Sequence, residues 1–369
     1  MKLYAILFRF QFSLTYIYSG NSKTECLITI MKYKRSEKKF RKKIKRKKII
    51  RNRKKKGYLF STRNFKALIY DIKSAIKCPE EITLGRNPSN ALGFFNQIRS
   101  RKNISRHKGS RFIEISLKNL LKIDFASISV LKSIFEEFNY LGVEIRGTYP
   151  DDINCKDRLA EFGFFNNMVN TVGSPIIKLK TKGDHHKFEK SQGMIKEKEL
   201  ILFDQISEEC YLYLNGVEGY YDEMITILKE IAGNAVEWGD SYNKQWQIGV
   251  LKAEGKVIIN IVDLGKGIVD SLFISQKIKI IDFFYLRSKL DVLIRAFDRR
   301  YGSFTQELNR NRGLPMIKKY YTDGQIKNLI VCSNEGYINF NDFSKNKLLS
   351  SNFEKFNGTF YQWELTSNE

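Results

Sequence analysis

The chain has 369 residues, 42% of them apolar, with 27 Phe, 19 Tyr and only five Pro. That is enough for two ordinary domains with packed interiors, and it excludes a proline-rich or wholly disordered chain. The formal charge of +24 is concentrated: residues 32–56 hold 17 Lys/Arg against one acid, Glu37, so this stretch alone carries +16.

The first 30 residues are apolar from Leu3 to Tyr18 but broken by Arg9, Gln11 and Ser13. The run is too short and too interrupted for a membrane span, and it lacks the apolar core and cleavage site of a signal peptide. Residues 1–30 read as a leader from an upstream start, with Met31 as the true start; a native peptide containing Phe10 would refute this. Residues 31–57 are too charged to build a core and read as a disordered basic tail. Such a tail attracts nucleic acid or an anionic surface by releasing counterions, or is simply a solvated extension.

From Tyr58 the pattern turns to alternating helix and strand. Pro88-Ser89-Asn90 opens a helix carrying Ala91, Leu92, Phe95 and Ile98 at helical spacing. Arg111 to Leu117 alternates as a strand. Ile123-Asp124-Phe125-Ala126-Ser127 then starts a helix with Ile128, Leu131, Ile134, Phe135, Phe138 and Leu141 on one face. Val143 to Arg146 is a second strand, and Lys156 to Phe162 a further helix ending at Gly163. Strand, helix, strand, helix at these lengths predicts an α/β layer with a parallel sheet. Within it, Cys78-Pro79-Glu80-Glu81-Ile82-Thr83-Leu84, the Ile123-Asp124 turn, Ile145 to Pro150 and Leu159 to Phe165 resemble the STAS-like domain found before some bacterial ATPase domains. The boundaries so read are 58–175 for this domain, 176–199 for a linker and 200–369 for a second domain. His185-His186, in the linker, read as solvated imidazoles rather than metal ligands.

The five cysteines (Cys26, Cys78, Cys155, Cys210, Cys332) form no C-x-x-C pair, and three histidines cannot complete a usual zinc spacing. Free thiols suit a reducing cytoplasmic setting.

The second domain holds the chemistry. Tyr221 to Trp238 is a helix with Met224, Leu228, Ile231, Ala235 and Trp238 as its apolar stripe. Glu230, Asn234 and Glu237 form a polar stripe beside it. Alone, that stripe is an ordinary wet face. The apolar strand Val257 to Val262 then delivers Asp263 at its end, before Gly265-Lys266-Gly267. A buried carboxylate there can accept the adenine amino group, and the glycines let backbone approach the base. A Lys/Arg-rich region, 271–310, follows as a lid. Arg312-Gly313-Leu314-Pro315 opens a helix whose free N–H groups suit phosphate. Gly358-Thr359 enters a last strand, Phe360 to Leu365, where a hydroxyl can reach the aspartate or the phosphates.

In this order, the four pieces resemble the histidine-kinase-like ATPase family, which includes DNA gyrase, mismatch-repair and chaperone ATPases and anti-sigma-factor serine kinases. The resemblance implies a Bergerat-type α/β sandwich, with helices over one face of a mixed sheet, and ATP and Mg²⁺ as cofactors. It implies Asn234 as the metal ligand, Glu230 as the base, Asp263 and Thr359 on adenine, Gly265 and Gly267 shaping the pocket, and Arg312 and Gly313 by the phosphates. The second glycine box departs from the family pattern, because Asn311-Arg312-Gly313 keeps only its last glycine. No histidine has a helical phosphoacceptor setting, which argues against a self-phosphorylating histidine kinase.

The implied function is a Mg·ATP-dependent signalling switch that hydrolyses ATP or phosphorylates Ser/Thr of a partner, with a protein partner or self-association. Ser127 and Ser129 are its candidate acceptors. The alternatives are a nucleic-acid-associated ATPase using the basic tail, and a non-catalytic ATP-binding module.

Overall fold

Residues 70–71, 73–107, 109–174, 186–193, 195–238, 245–274, 288–298, 313–349 and 353–367 are described by the computed structural model; residues 1–57 lie outside these. The first lobe comprises strands β1 (Tyr70–Asp71), β2 (Ile76–Lys77), β3 (Glu81–Ile82), β4 (Ser105–His107), β5 (Ser110–Ser116), β6 (Lys122–Ile123) and β7 (Glu144–Thr148). Its helices are α1 (Pro88–Arg99), α2 (Phe125–Tyr140) and α3 (Ile153–Glu161). β5 runs parallel to β2 and β7 and antiparallel to β4. Helix α2 is the crossover that parallel neighbours β5 and β7 require. Its start is fixed by Asp124, whose carboxylate accepts from the N–H groups of Ser127 (2.8 Å) and Gly85 (2.9 Å). That one residue ties the helix to the loop leading into α1.

The second lobe comprises β8 (His186–Gln192), α4 (Glu197–Asn215), α5 (Asp222–Trp238), β9 (Gln245–Ala253), β10 (Lys256–Asp263), α6 (Ile268–Ile274), α7 (Lys289–Phe297) and α8 (Gly313–Thr322). It ends with β11 (Lys327–Asn334), β12 (Gly336–Asn339), β13 (Lys347–Leu348) and β14 (Phe356–Thr366). The sheet order is β13-β12-β11-β14-β10-β9-β8. Every one of these pairs is antiparallel, so the mixed sheet expected here is corrected. The reason is local: β9 and β10 are joined by a tight turn at Gly255 (φ 68°), and β11 and β12 by Asn334-Glu335, and such short turns produce antiparallel neighbours. The segment read as a linker, 176–199, also differs, since β8 occupies part of it and pairs with β9. His186 sits on that strand with its ring edge against Phe162 at 4.9 Å, while His185 lies outside the described residues.

The expectation of helices over one sheet face is corrected too, because both faces are covered. Along β10, Val257, Ile259 and Ile261 pack with α5 residues Met224, Leu228, Ile231 and Ala235. The alternate residues Val262 and Leu264 belong to a core shared with α2 and the first lobe. A nearly continuous apolar strand is the pattern that two-sided burial demands. Helix α2 approaches closely at Gly249, where a Cβ would meet Ser129 Oγ at 3.0 Å and the Phe125 ring at 3.1 Å. Tyr70–Glu369 accordingly forms one compact unit.

Candidate nucleotide-binding site

Strand alternation points Asp263 to the same side of the sheet as Ile259 and Ile261, toward α5. It ends β10 opposite Thr359 of β14, and only 7% of it is exposed. Burial pushes its carboxyl upward, while hydrogen bonds from the Gly265 N–H (2.9 Å) and from Thr359, with the nearby Arg99 charge, pull it back. Asp263, Gly265 and Thr359, which the sequence placed in one pocket, therefore meet. Gly358 and Gly267 make the approach feasible. Both have left-handed φ, and a Cβ on Gly358 would stand 2.1 Å from the Asp263 carbonyl oxygen.

The second group of predicted residues lies on α5 and α8. Glu230 is half-buried, and desolvation pushes its carboxyl upward. Gly313, the first residue of α8, lies against it: a Cβ there would be 2.4 Å from Glu230 Oε2. Asn234 stands one turn further along α5, half-buried and without a side-chain hydrogen bond among the described residues. Arg312 and most of the lid, 271–310, lie outside the described residues. No group of three His, Cys, Asp or Glu side chains forms a metal cage among the described residues. Magnesium held with a nucleotide does not need one, since one or two side chains, phosphate oxygens and water complete its shell. The side-chain carbonyl of Asn234 fits that donor set.

Sequence reasoning missed Ser333 and Asn334, both fully buried. Asn334 has φ 53°, and its Oδ1 accepts from the N–H groups of Val269 (3.0 Å) and Asp270 (3.2 Å). Its Nδ2 donates to the Lys266 carbonyl at 2.7 Å. Ser333 Oγ accepts from the Ile268 N–H (2.8 Å) and donates to the Gly358 carbonyl (3.0 Å). Together they cap α6 and clamp the 264–267 loop to β11 and β14. The signal was the turn-forming Ser-Asn-Glu-Gly, in which Asn tolerates the left-handed backbone.

Ser127 and Ser129, the candidate acceptors, are fully buried. Ser127 Oγ accepts from the Leu84 N–H (3.0 Å); Ser129 Oγ donates to the Phe125 carbonyl (2.9 Å) and accepts from Asn260 Nδ2 (3.0 Å). Neither hydroxyl is available to a phosphate donor in this arrangement. Among the described residues no helix is long and apolar enough to cross a membrane.

A search of protein-family models finds no match to this chain, and a search of curated proteins finds none either. The α/β class and the site's geometry thus stand on the residues themselves.

Proposed function

We propose that this chain binds Mg·ATP between α5, the 263–267 loop, the start of α8 and the start of β14, and acts as a histidine-kinase-like ATPase or Ser/Thr kinase in a signalling switch. The observation that carries the reading is the contact of Gly313 with Glu230, with Asp263 and Thr359 paired at the end of the adjoining sheet. Two pairs of motif residues, each distant in sequence, come together, and this proximity supports the reading.

Asp263 accepts the adenine amino group. Asn234 supplies the protein ligand to the metal, which in its bound state neutralises phosphate charge. Glu230, its basicity raised by desolvation, orients and deprotonates the attacking water or hydroxyl. The burial of Ser127 and Ser129 favours hydrolysis, or transfer to a partner, over transfer to this chain's own α2. The test is Mg²⁺-dependent ATP binding and hydrolysis by the full chain beside Asn234→Ala and Glu230→Gln. The expected result is turnover lost in both, with ATP binding retained in Glu230→Gln. Absence of ATP binding by the parent overturns the reading.

A further inference from the structure

Arg99, the last residue of α1, carries its guanidinium across from the first lobe to the proposed nucleotide site. Nε and Nη2 rest on the Glu137 carboxylate of α2 at 3.0 and 3.3 Å. From that base, Nη2 donates to the Leu264 carbonyl (3.2 Å) and Nη1 to the Asn357 carbonyl (2.6 Å). Leu264 directly follows Asp263, and Asn357 stands two residues before Thr359. One side chain thus spans both backbone segments that present the adenine-side residues. It is mostly buried, with 15% of the side chain exposed, and its partner Glu137 is at 14%. One turn earlier on α1, Asn96 Nδ2 donates to the carbonyls of Phe353 and Lys355, both at 2.9 Å, so the same helix holds the approach to β14. A planar guanidinium with a bidentate carboxylate behind it has little freedom to turn, and Lys lacks the fork to replace it.

Building on the nucleotide reading above, we propose that Arg99 is a positioning residue for the adenine side of the site. Anchored on Glu137, it fixes the Leu264 and Asn357 carbonyls so that Asp263 and Thr359 face the base, making the first lobe part of what selects adenine. Burial raises the Asp263 carboxyl, and the nearby Arg99 charge is one of the contacts that oppose that rise.

The experiment compares binding of Mg·ATP and Mg·ITP to the full chain by calorimetry. Hypoxanthine carries a carbonyl where adenine carries the amino group, so at that position only ATP offers Asp263 a donor. The parent is expected to prefer ATP. Arg99→Gln is expected to lose roughly tenfold or more in ATP affinity, as for a lost bond to a charged group, with ITP affinity nearly unchanged, so that the preference collapses. Arg99→Lys keeps the charge and the buried stem, and is expected to fall between the two; it also serves if Arg99→Gln does not fold. A purely structural role would weaken ATP and ITP together. That result, or an unchanged ATP/ITP ratio in both variants, overturns the assignment of Arg99 and leaves the nucleotide reading intact. A parent that binds neither nucleotide overturns the reading itself and Arg99's role with it. A parent that binds both equally removes Asp263 as the adenine acceptor, and Arg99's role falls too.

Discussion

The fully buried Asn334 side chain bonds the backbone of Val269, Asp270 and Lys266, and these bonds can be separated from its backbone strain by two substitutions. Asn334→Ala removes the cap on α6, worth about 0.5–2 kcal/mol. It also leaves the Lys266 carbonyl without its donor, at about 1 kcal/mol. Finally it places a Cβ residue without local polar compensation at φ 53°, where the left-handed region costs roughly 1–2 kcal/mol. The sum is about 2.5–5 kcal/mol. Asn334→Gly loses the same hydrogen bonds but not the backbone cost, so it should be about 1 kcal/mol more stable than the Ala variant. Urea denaturation of the full chain gives the order parent, Gly, Ala. Hydrogen exchange at the Val269 and Asp270 amides should accelerate in both variants. An Ala variant as stable as the Gly variant would refute the strain argument, and unchanged exchange at those two amides would refute the cap.

Two further outcomes test other parts of the molecule. Burial raises the Glu199 carboxyl, but hydrogen bonds from Ser191 Oγ, the Lys196 N–H (2.8 Å) and Lys198 outweigh it and bring the pKa down to about 2. A folded value below the unfolded one gives stability that is complete above the unfolded range and is lost as pH falls through about 2. Glu199→Gln should therefore be less stable by about 1–2 kcal/mol at pH 7, with the gap closing toward pH 2; a gap independent of pH would count against an ionised Glu199 as the source of that stability. Gly313→Ala puts a methyl group into the space of Glu230 Oε2 and should lower ATP turnover by roughly tenfold or more through displacement of the base, with ATP binding less affected. Turnover equal to the parent's would show that Glu230 has room to move and does not depend on Gly313.

What was legible in the sequence was local. The helix start after Ile123-Asp124, Pro88 opening α1 and the stripe residues Met224, Leu228, Ile231 and Ala235 of α5 are set by residues within a turn or two of one another, and each appears at the expected place. Pairing direction across the second sheet was read wrongly because a resemblance supplied it, whereas the turns themselves, Gly255 and Asn334-Glu335, already favoured hairpins. Strand β8 was hidden because its sequence, His-Lys-Phe-Glu-Lys-Ser-Gln, is polar; as the edge strand it needs few apolar residues, and its one Phe packs on Phe125 at 5.6 Å.

The site was legible where chemistry demands a rare residue and illegible where it is supported by ordinary ones. Asp263 at the end of an apolar strand is conspicuous, because burying a carboxylate is costly without partners. Its partners are not conspicuous. Thr359 was found through its glycine, but Ser333, Asn334 and Arg99 are common residues whose role depends on strands and helices brought together from far along the chain. The same distinction accounts for α2. Its serines read as a helix start with possible acceptor hydroxyls, yet they line a buried seam against Asn260 and Gln247 of the second sheet. Small polar residues there let α2 lie close to β9 at Gly249, while the Ser129 and Ser133 hydroxyls donate to α2 carbonyls one turn back and Ser129 Oγ accepts from the Asn260 side-chain amide. The seam and the Arg99 bridge flank Asp263 from the face of the sheet opposite α5. The first lobe therefore supports β10 along its length and holds the loop that follows it, which makes that loop's position a property of both lobes.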